Sequence, residues 1–232
     1  MKHYQRARTE EQRTERRQSI LQTAAAMLDE MPVSALSLNE LSRRVGLAKS
    51  NVLRYFESRE AVLLDLLDQA AGEFLAEIAA ALPAKVDQSA PKASRAQAVA
   101  VGLARSFAAQ PRLCALLSAQ AGVLEHNVST EVAIQYKRGA RDSLVGLAAL
   151  LRRLLPELGK ARSAQAARMV IVLAGALWTR SHPAPVVIAA IAADPSLAFF
   201  HMPFAKSLER SLATFLRGLL VERTDERPRR RR

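Results

Sequence analysis

The residues of this 232-residue chain best equipped for recognition chemistry lie between positions 49 and 55. Lys49, Ser50, Asn51, Arg54 and Tyr55 supply two cations, an amide and two hydroxyls, the types that hydrogen-bond to base edges and phosphate oxygens. Arginine or lysine pairs with guanine, and asparagine with adenine, by donor–acceptor geometry, so Lys49, Asn51 and Arg54 are candidates for base readout. Other chemistry finds less support. The four histidines, His3, His126, His182 and His201, show no i, i+4 pairing and no nearby cysteine, which argues against a metal site. No glycine-rich phosphate loop follows a strand, and no residue set points to catalysis. The expectation is a protein that is not an enzyme and uses no cofactor.

The elements around these residues say how they are held. Ser37 with Glu40 three residues on has the form of a capping box, so a helix should start at Leu38 or Asn39, with Leu41 and Val45 on one face. Gly46 stands where that helix must stop in a left-handed backbone conformation. A second helix follows after a few residues, with Leu47, Val52 and Phe56 turned inward and the polar residues outward. Ser42, four residues before the glycine, is small where two helices cross closely. A helix, a short turn and a second helix with a basic outer face is the helix-turn-helix, whose second helix enters the DNA major groove.

Ile20-Leu21, Ala24-Ala25, Leu38-Asn39-Glu40-Leu41, Val45-Gly46-Leu47 and Tyr55-Phe56-Glu57-Ser58-Arg59-Glu60 resemble the N-terminal domain of TetR/AcrR transcriptional regulators over about residues 18–67. Leu53 stands where that family usually has tyrosine, and Tyr55 where it often has histidine, which leaves the tyrosine's usual phosphate contact to Arg54 or Tyr55. The candidate DNA-binding set is Ser37, Arg44, Lys49, Ser50, Asn51, Arg54, Tyr55 and Arg59.

Half of the residues are apolar, enough for a sizeable core without staples. The single cysteine, Cys114, cannot form an intramolecular disulfide, and no N-terminal apolar run reads as a signal peptide, so a reduced, cytoplasmic protein is expected. The longest apolar run, 169–178, has about half the length of a membrane-spanning helix. The net charge of +12 suits a polyanion partner only loosely: residues 1–64 hold eleven Lys/Arg against eight Asp/Glu, and five of the other positive charges are Arg227 and Arg229 to Arg232.

Helical periodicity and proline punctuation predict an all-α chain. The expected organisation is a disordered basic arm at 1–10, a helix-turn-helix domain at 11–67, a larger helical domain at 68–222 and an Arg-rich tail at 223–232. A long fourth helix from Ser58 to about Leu82 should connect the domains. Further helices are expected near 94–109, 111–123, 130–155, 164–180 and 204–221, with an apolar turn or short helix around 186–193. The family resemblance implies a small-molecule pocket in the second domain, with Phe107, Cys114, Gln120, Tyr136 and Trp178 as candidate ligand-binding residues, and an apolar effector. It also implies a homodimer. Val170, Ala174, Gly175, Leu208, Leu212, Phe215 and Leu219 are the candidate dimer interface, and a two-fold pair of recognition helices calls for an inverted-repeat, double-stranded DNA operator. The resulting reading is a repressor released by its effector, without membrane association; the alternative is a ligand-independent architectural DNA binder.

Overall fold

The structure, a computed structural model, describes residues 2–221, with side chains from Glu10 onward; the Arg-rich tail at 223–232 lies outside the described residues. It contains α1 (Lys2–Glu30), α2 (Leu38–Val45), α3 (Lys49–Val52), α4 (Arg59–Ala81), α5 (Lys92–Ala108), α6 (Pro111–Ala119), α7 (Thr130–Leu154), α8 (Gly159–Ser181), α9 (Pro185–Ala193) and α10 (Phe204–Leu220). No strand occurs among the described residues.

Two boundaries differ from expectation. α1 begins at Lys2, where an arm was expected over 1–10 and a helix only from about Glu11. No glycine or proline occurs before Pro32, and the segment is rich in Arg, Glu and Gln, so local sequence offers nothing to stop the helix. α3 ends at Val52 instead of running to Phe56. After Val52 the chain tightens: the Tyr55 N–H donates to the Val52 carbonyl at 2.9 Å, and the Arg54 N–H to that of Asn51 at 3.3 Å. That tightening brings Phe56 back into the core beside Val52.

α1 packs on α4 and on α2, and α2 on α3, with Ile20, Leu21, Ala24, Met27, Leu41, Val52, Phe56, Leu63, Leu64 and Leu67 all buried. α4 starts where the Ser58 hydroxyl accepts the Ala61 N–H at 3.1 Å. Its 23 residues make a rod of roughly 35 Å. It packs on α7 as well as on α1, α6 and α5. Gly139 and Gly146, one heptad apart on α7, allow the close approach: a Cβ at Gly139 would lie 2.0 Å from Asp68 Oδ1, and one at Gly146 2.5 Å from Leu75 Cδ2.

The rest of the second domain is α10 on α5 and α8, with α8 also against α6 and α7. The buried Arg95 of α5 fastens the turn between α7 and α8. Its guanidinium donates to the Ala90 and Leu154 carbonyls, each at 3.1 Å, and pairs with Glu157. Further links join the two domains: Arg112 of α6 grips Asp29 of α1 with contacts of 2.8 and 2.6 Å, and Glu57 accepts the Ser129 N–H at 2.5 Å.

Candidate nucleic-acid interface and the cavity behind it

The turn between α2 and α3 is built as its residues require. Ser37 caps α2, its hydroxyl accepting the Glu40 N–H at 3.2 Å. The reciprocal half of the capping box is missing. Glu40 turns outward to Arg43, at 2.6 and 2.9 Å, and to Arg44, at 2.9 Å. These bonds hold its carboxyl down at about 2. Gly46 takes φ +73°, and the Leu47 N–H reaches back to the Ser42 carbonyl at 3.0 Å. The space about Gly46 is open, so its backbone conformation alone calls for glycine. Ser42 is buried and donates to the Asn39 carbonyl at 2.9 Å.

On the outer side Lys49, Ser50, Asn51 and Arg54 are all exposed, the first three on α3 and Arg54 in the turn that follows. Lys49 and Arg54 have no ion-pair partner among the described residues. Two cations and an amide therefore face solvent with their hydrogen-bonding capacity unused, which suits a groove and its phosphates. Arg44 and Arg59 are placed otherwise. Arg44 bridges Glu30, at 2.7 Å, and Glu40. Arg59 is half-buried and donates to the Val33 carbonyl at 2.7 Å, holding the link between α1 and α2. Tyr55 is half-buried, and its carbonyl accepts from Arg17 at 3.1 Å. Arg17 was not among the candidates. It also pairs with Asp65 of α4 and lies over the Phe56 ring at 4.3 Å, so one guanidinium ties α1, the α3 turn and α4 together.

Behind this unit lies a cavity of about 590 Å³ between α4, α6, α7 and α8. Its wall is mostly apolar, with Leu67, Phe74, Leu75, Leu117 and Leu144 among its residues. Of the five expected ligand-binding residues it gathers Gln120 and Tyr136. Phe107 is fully buried one layer back, its ring 4.3 Å from that of Phe74. Cys114 is buried, its thiol donating to the Phe107 carbonyl at 3.3 Å, and burial pushes its pKa up to about 12, so it is an inert core residue. Trp178 lies elsewhere, stacked on His182 at 3.8 Å and edge-on to Phe204 at 5.0 Å.

Asp68 was not expected in the wall. It lines this cavity and a second one of about 250 Å³, which is also lined by Arg17, Tyr55, Asp65 and Gln135; Tyr136 is common to both. Burial, then the charges of Asp65 and Asp142, raise the Asp68 pKa; burial raises that of Asp65 against the pull of Arg17. Arg152, Lys160 and Arg168 also line the larger cavity, without ion-pair partners among the described residues.

Two family models match this chain. Residues 20–66 fit that described as bacterial regulatory proteins of the tetR family, and residues 68–223 fit the tetracyclin repressor-like C-terminal domain. The chain belongs to the TetR family. As a member it is a DNA-binding transcriptional regulator, in a family whose proteins are not enzymes. The HTH-type transcriptional regulator EthR of Mycobacterium tuberculosis is 38% identical over 55 residues, which spans 24% of this chain and only 26% of that relative. Two solved structures share the fold. FadR from Bacillus halodurans superposes with TM-score 0.52 at 15% identity, over 88% of this chain and 95% of that one. FadR from Bacillus subtilis, solved in complex with stearoyl-CoA, gives 0.51 at 13% identity, over 86% and 96%.

Within this TetR-family fold the expected dimer residues divide between the protomer's core and its surface. Val170, Ala174, Leu208 and Leu212 are fully buried inside the protomer, where α8 and α10 pack on α5, α6, α7 and one another. Gly175 faces α6, where a Cβ would lie 3.1 Å from the Leu117 carbonyl oxygen. Phe215 and Leu219 are half-buried. A broad apolar helix face reads the same whether it meets its own chain or another, and here the protomer's own core takes Val170, Ala174, Leu208 and Leu212.

Proposed function

We propose that this chain is a cytoplasmic, homodimeric repressor that binds an inverted-repeat operator and is released by a small, largely apolar molecule entering the cavity between α4, α6, α7 and α8. The observation that carries the reading is α4, whose Leu67 and Asp68 touch both the packing beneath the helix-turn-helix and the cavity wall. A displacement of α4 by a ligand moves the recognition unit, and an effector acts by binding the two arrangements with different affinity. Base readout falls to Lys49, Asn51 and Arg54, and phosphate contacts to Ser37, Ser50 and Tyr55. Arg44 and Arg59, engaged with Glu30, Glu40 and the Val33 carbonyl, hold the unit in shape.

The cavity favours an effector-responsive protein over an architectural DNA binder. Its volume lies within the range of about 300–1,000 Å³ usual for small-molecule sites. An apolar wall with Arg152, Lys160 and Arg168 along it suits a hydrocarbon chain ending in an anion. The B. subtilis FadR, solved with stearoyl-CoA, adds a reason to test that class first. Selection of genomic DNA by the purified protein should return a palindrome. Fatty acids and acyl-CoA of graded chain length, titrated into the operator complex, should lower DNA affinity at least about fivefold, the low end of ordinary allosteric coupling. Equal binding to all sequences, with no ligand effect, would support the architectural reading instead.

A further inference from the structure

The larger cavity carries opposite charge at its two ends. α4 and α7 run parallel along it, since Gly139 meets Asp68 and Gly146 meets Leu75, and α8 returns antiparallel to α7 after the short turn at 155–158. Asp68, Gln120 and Tyr136 therefore line the end beside the helix-turn-helix, and Arg152 and Lys160 the end at the α7–α8 turn, with Arg168 further along α8. Tyr136 and Arg152 are separated by roughly 24 Å of helix, at about 1.5 Å per residue. Between them the wall is apolar, with Ala71, Leu75, Ala140, Leu144 and Ala148.

The two ends differ in how their polar groups are met. Arg152 and Lys160 are exposed and stand at the rim. At the other end Asp68 is half-buried, set against α7 at Gly139, and has no hydrogen-bond or ion-pair partner among the described residues. The cations that share its cavities are taken: Arg17 pairs with Asp65, Lys137 with Glu125 at 2.8 Å, and Arg141 with Asp142 at 2.8 Å. Tyr136 keeps only 7% exposure, and its hydroxyl makes no hydrogen bond among the described residues. Gln120 spends its amide N–H on Glu125 at 2.7 Å, which leaves its carbonyl oxygen unmatched. Buried polar groups without partners are costly, and folded proteins seldom leave several together. An ionised carboxylate and an amide oxygen only accept, and a tyrosine hydroxyl also can, so what this end lacks is a donor.

We propose that the cavity takes an elongated amphiphile that is polar at both ends: an anionic head held by Arg152 and Lys160, and a hydroxyl at the far tip that donates to Asp68 and accepts from Tyr136. The inference rests on the effector reading above and adds the other end of the ligand. A second anion at the tip would be repelled by Asp68. A methyl tip would leave Asp68, Gln120 and Tyr136 unmatched. A site built to hydrogen-bond a hydroxyl discriminates strongly against the analogue that lacks it, because the site's own polar groups are then left unpaired.

Calorimetric titration of the full chain with hexadecanoate, ω-hydroxyhexadecanoate and hexadecanedioate, below their micellar concentrations, tests this. The ω-hydroxy acid should bind about tenfold tighter than hexadecanoate or better, the scale of a hydrogen bond to a charged group, and the diacid more weakly than both. Asp68→Ala should bring the three to within about twofold of one another, because the group that tells their tips apart is gone. Tyr136→Phe, which keeps the ring in the core, should cut the preference for the hydroxyl and leave hexadecanoate binding unchanged. Arg152→Ala/Lys160→Ala should weaken all three and keep their order. Hexadecanoate that binds as tightly as the ω-hydroxy acid, or a preference that survives both Asp68→Ala and Tyr136→Phe, overturns the proposal and leaves the effector reading standing. If none of the three binds the natural chain, the cavity takes no anionic amphiphile, and that reading falls together with the proposal.

Discussion

The two ends of α4 meet different surroundings. From Glu60 to Leu67 the helix is mostly buried: Val62, Leu63, Leu64, Leu66 and Leu67 lie in the core, and Arg17 pairs with Asp65 beside the smaller cavity. From Asp68 to Ile78 one side of the same helix faces a cavity, and α7 comes closest to it at Gly139 and Gly146, where a side chain would meet Asp68 and Leu75. Close-packed interiors resist a change of even one methylene, whereas a surface lining a void can shift without losing contacts it never had. The difference teaches a division of labour within one rod. Its better-packed end carries the helix-turn-helix, and its cavity-lining end is where the proposed effector would act.

The contrast breaks most readily under large-to-small substitution. Leu63→Ala, at the better-packed end, should cost about 2–5 kcal/mol, because transfer and cavity terms add. Leu144→Ala, in the cavity wall, should cost no more than about 1.5 kcal/mol, since it enlarges a space already present. Denaturant melts of the two variants check this, and equal losses would mean that the cavity wall is packed as tightly as the core. Next in size is the turn that aims α3. Gly46→Val, forced to φ +73°, should lose about 1–3 kcal/mol of stability, whereas Gly46→Asn, which tolerates that conformation, should lose clearly less. Matching melting curves for the two would place the constraint in packing instead of the backbone.

At the surface of the helix-turn-helix, Arg54→Ala should leave stability within about 0.5 kcal/mol. It should weaken the preferred operator by about 1–3 kcal/mol and relax preference at one position in each half-site. Fluorescence anisotropy on a panel of operator variants measures both, and uniform weakening across the panel would move Arg54 from base to phosphate. Leu212→Glu, in contrast, is no longer a probe of dimerisation: that residue is fully buried within the protomer, so the charge should unfold the chain.

The same two regions differ in how far their sequence could be read. In the helix-turn-helix each local signal has one structural meaning: a hydroxyl before a helix caps it, as Ser37 does, and a lone glycine ending a helix takes a left-handed conformation, as Gly46 does. Even there the length of α3 was overestimated, because Phe56 continues a helical spacing although the chain reaches it through a tighter turn. In the second domain the signals are degenerate. Leu144 in the cavity wall and Leu151 in the core share one apolar stripe of α7, and nothing in their spacing separates a wall from a core. Trp178 drew notice as an aromatic, yet its position was decided by His182 and Phe204. Asp68 was passed over because a single carboxylate in an apolar helix reads as a solvated residue. Only the fold shows it between two cavities.

Asp68 gives the smallest effect and the sharpest test of the cavity-lining end. Its carboxylate has no hydrogen-bond or ion-pair partner among the described residues, and burial, with Asp65 and Asp142 nearby, raises its pKa. A carboxyl whose folded pKa is raised favours the protonated form, so the folded state is not penalised below the ordinary aspartate pKa and loses stability as the pH rises through the raised value. Asp68→Asn removes that penalty while keeping the volume. The variant should match the natural chain below about pH 3.9 and become more stable than it as the pH climbs. The gain should stay below about 1 kcal/mol, because the site is only half-buried and water screens it. Glu40 runs the other way: its carboxyl is held down at about 2 by Arg43 and Arg44, so Glu40→Gln should forfeit at neutral pH a contribution that the natural chain itself loses only as the pH falls toward that value. Melting temperatures of the three proteins across the acid range separate these signs. If the difference between Asp68→Asn and the natural chain stayed constant with pH, the carboxylate would be fully hydrated in the folded state; if the variant instead became the less stable one as the pH climbed, the carboxylate would be paired. If the difference follows the predicted course, the same variant should bind an anionic amphiphile more tightly, because a negative charge that opposes the ligand has left the wall.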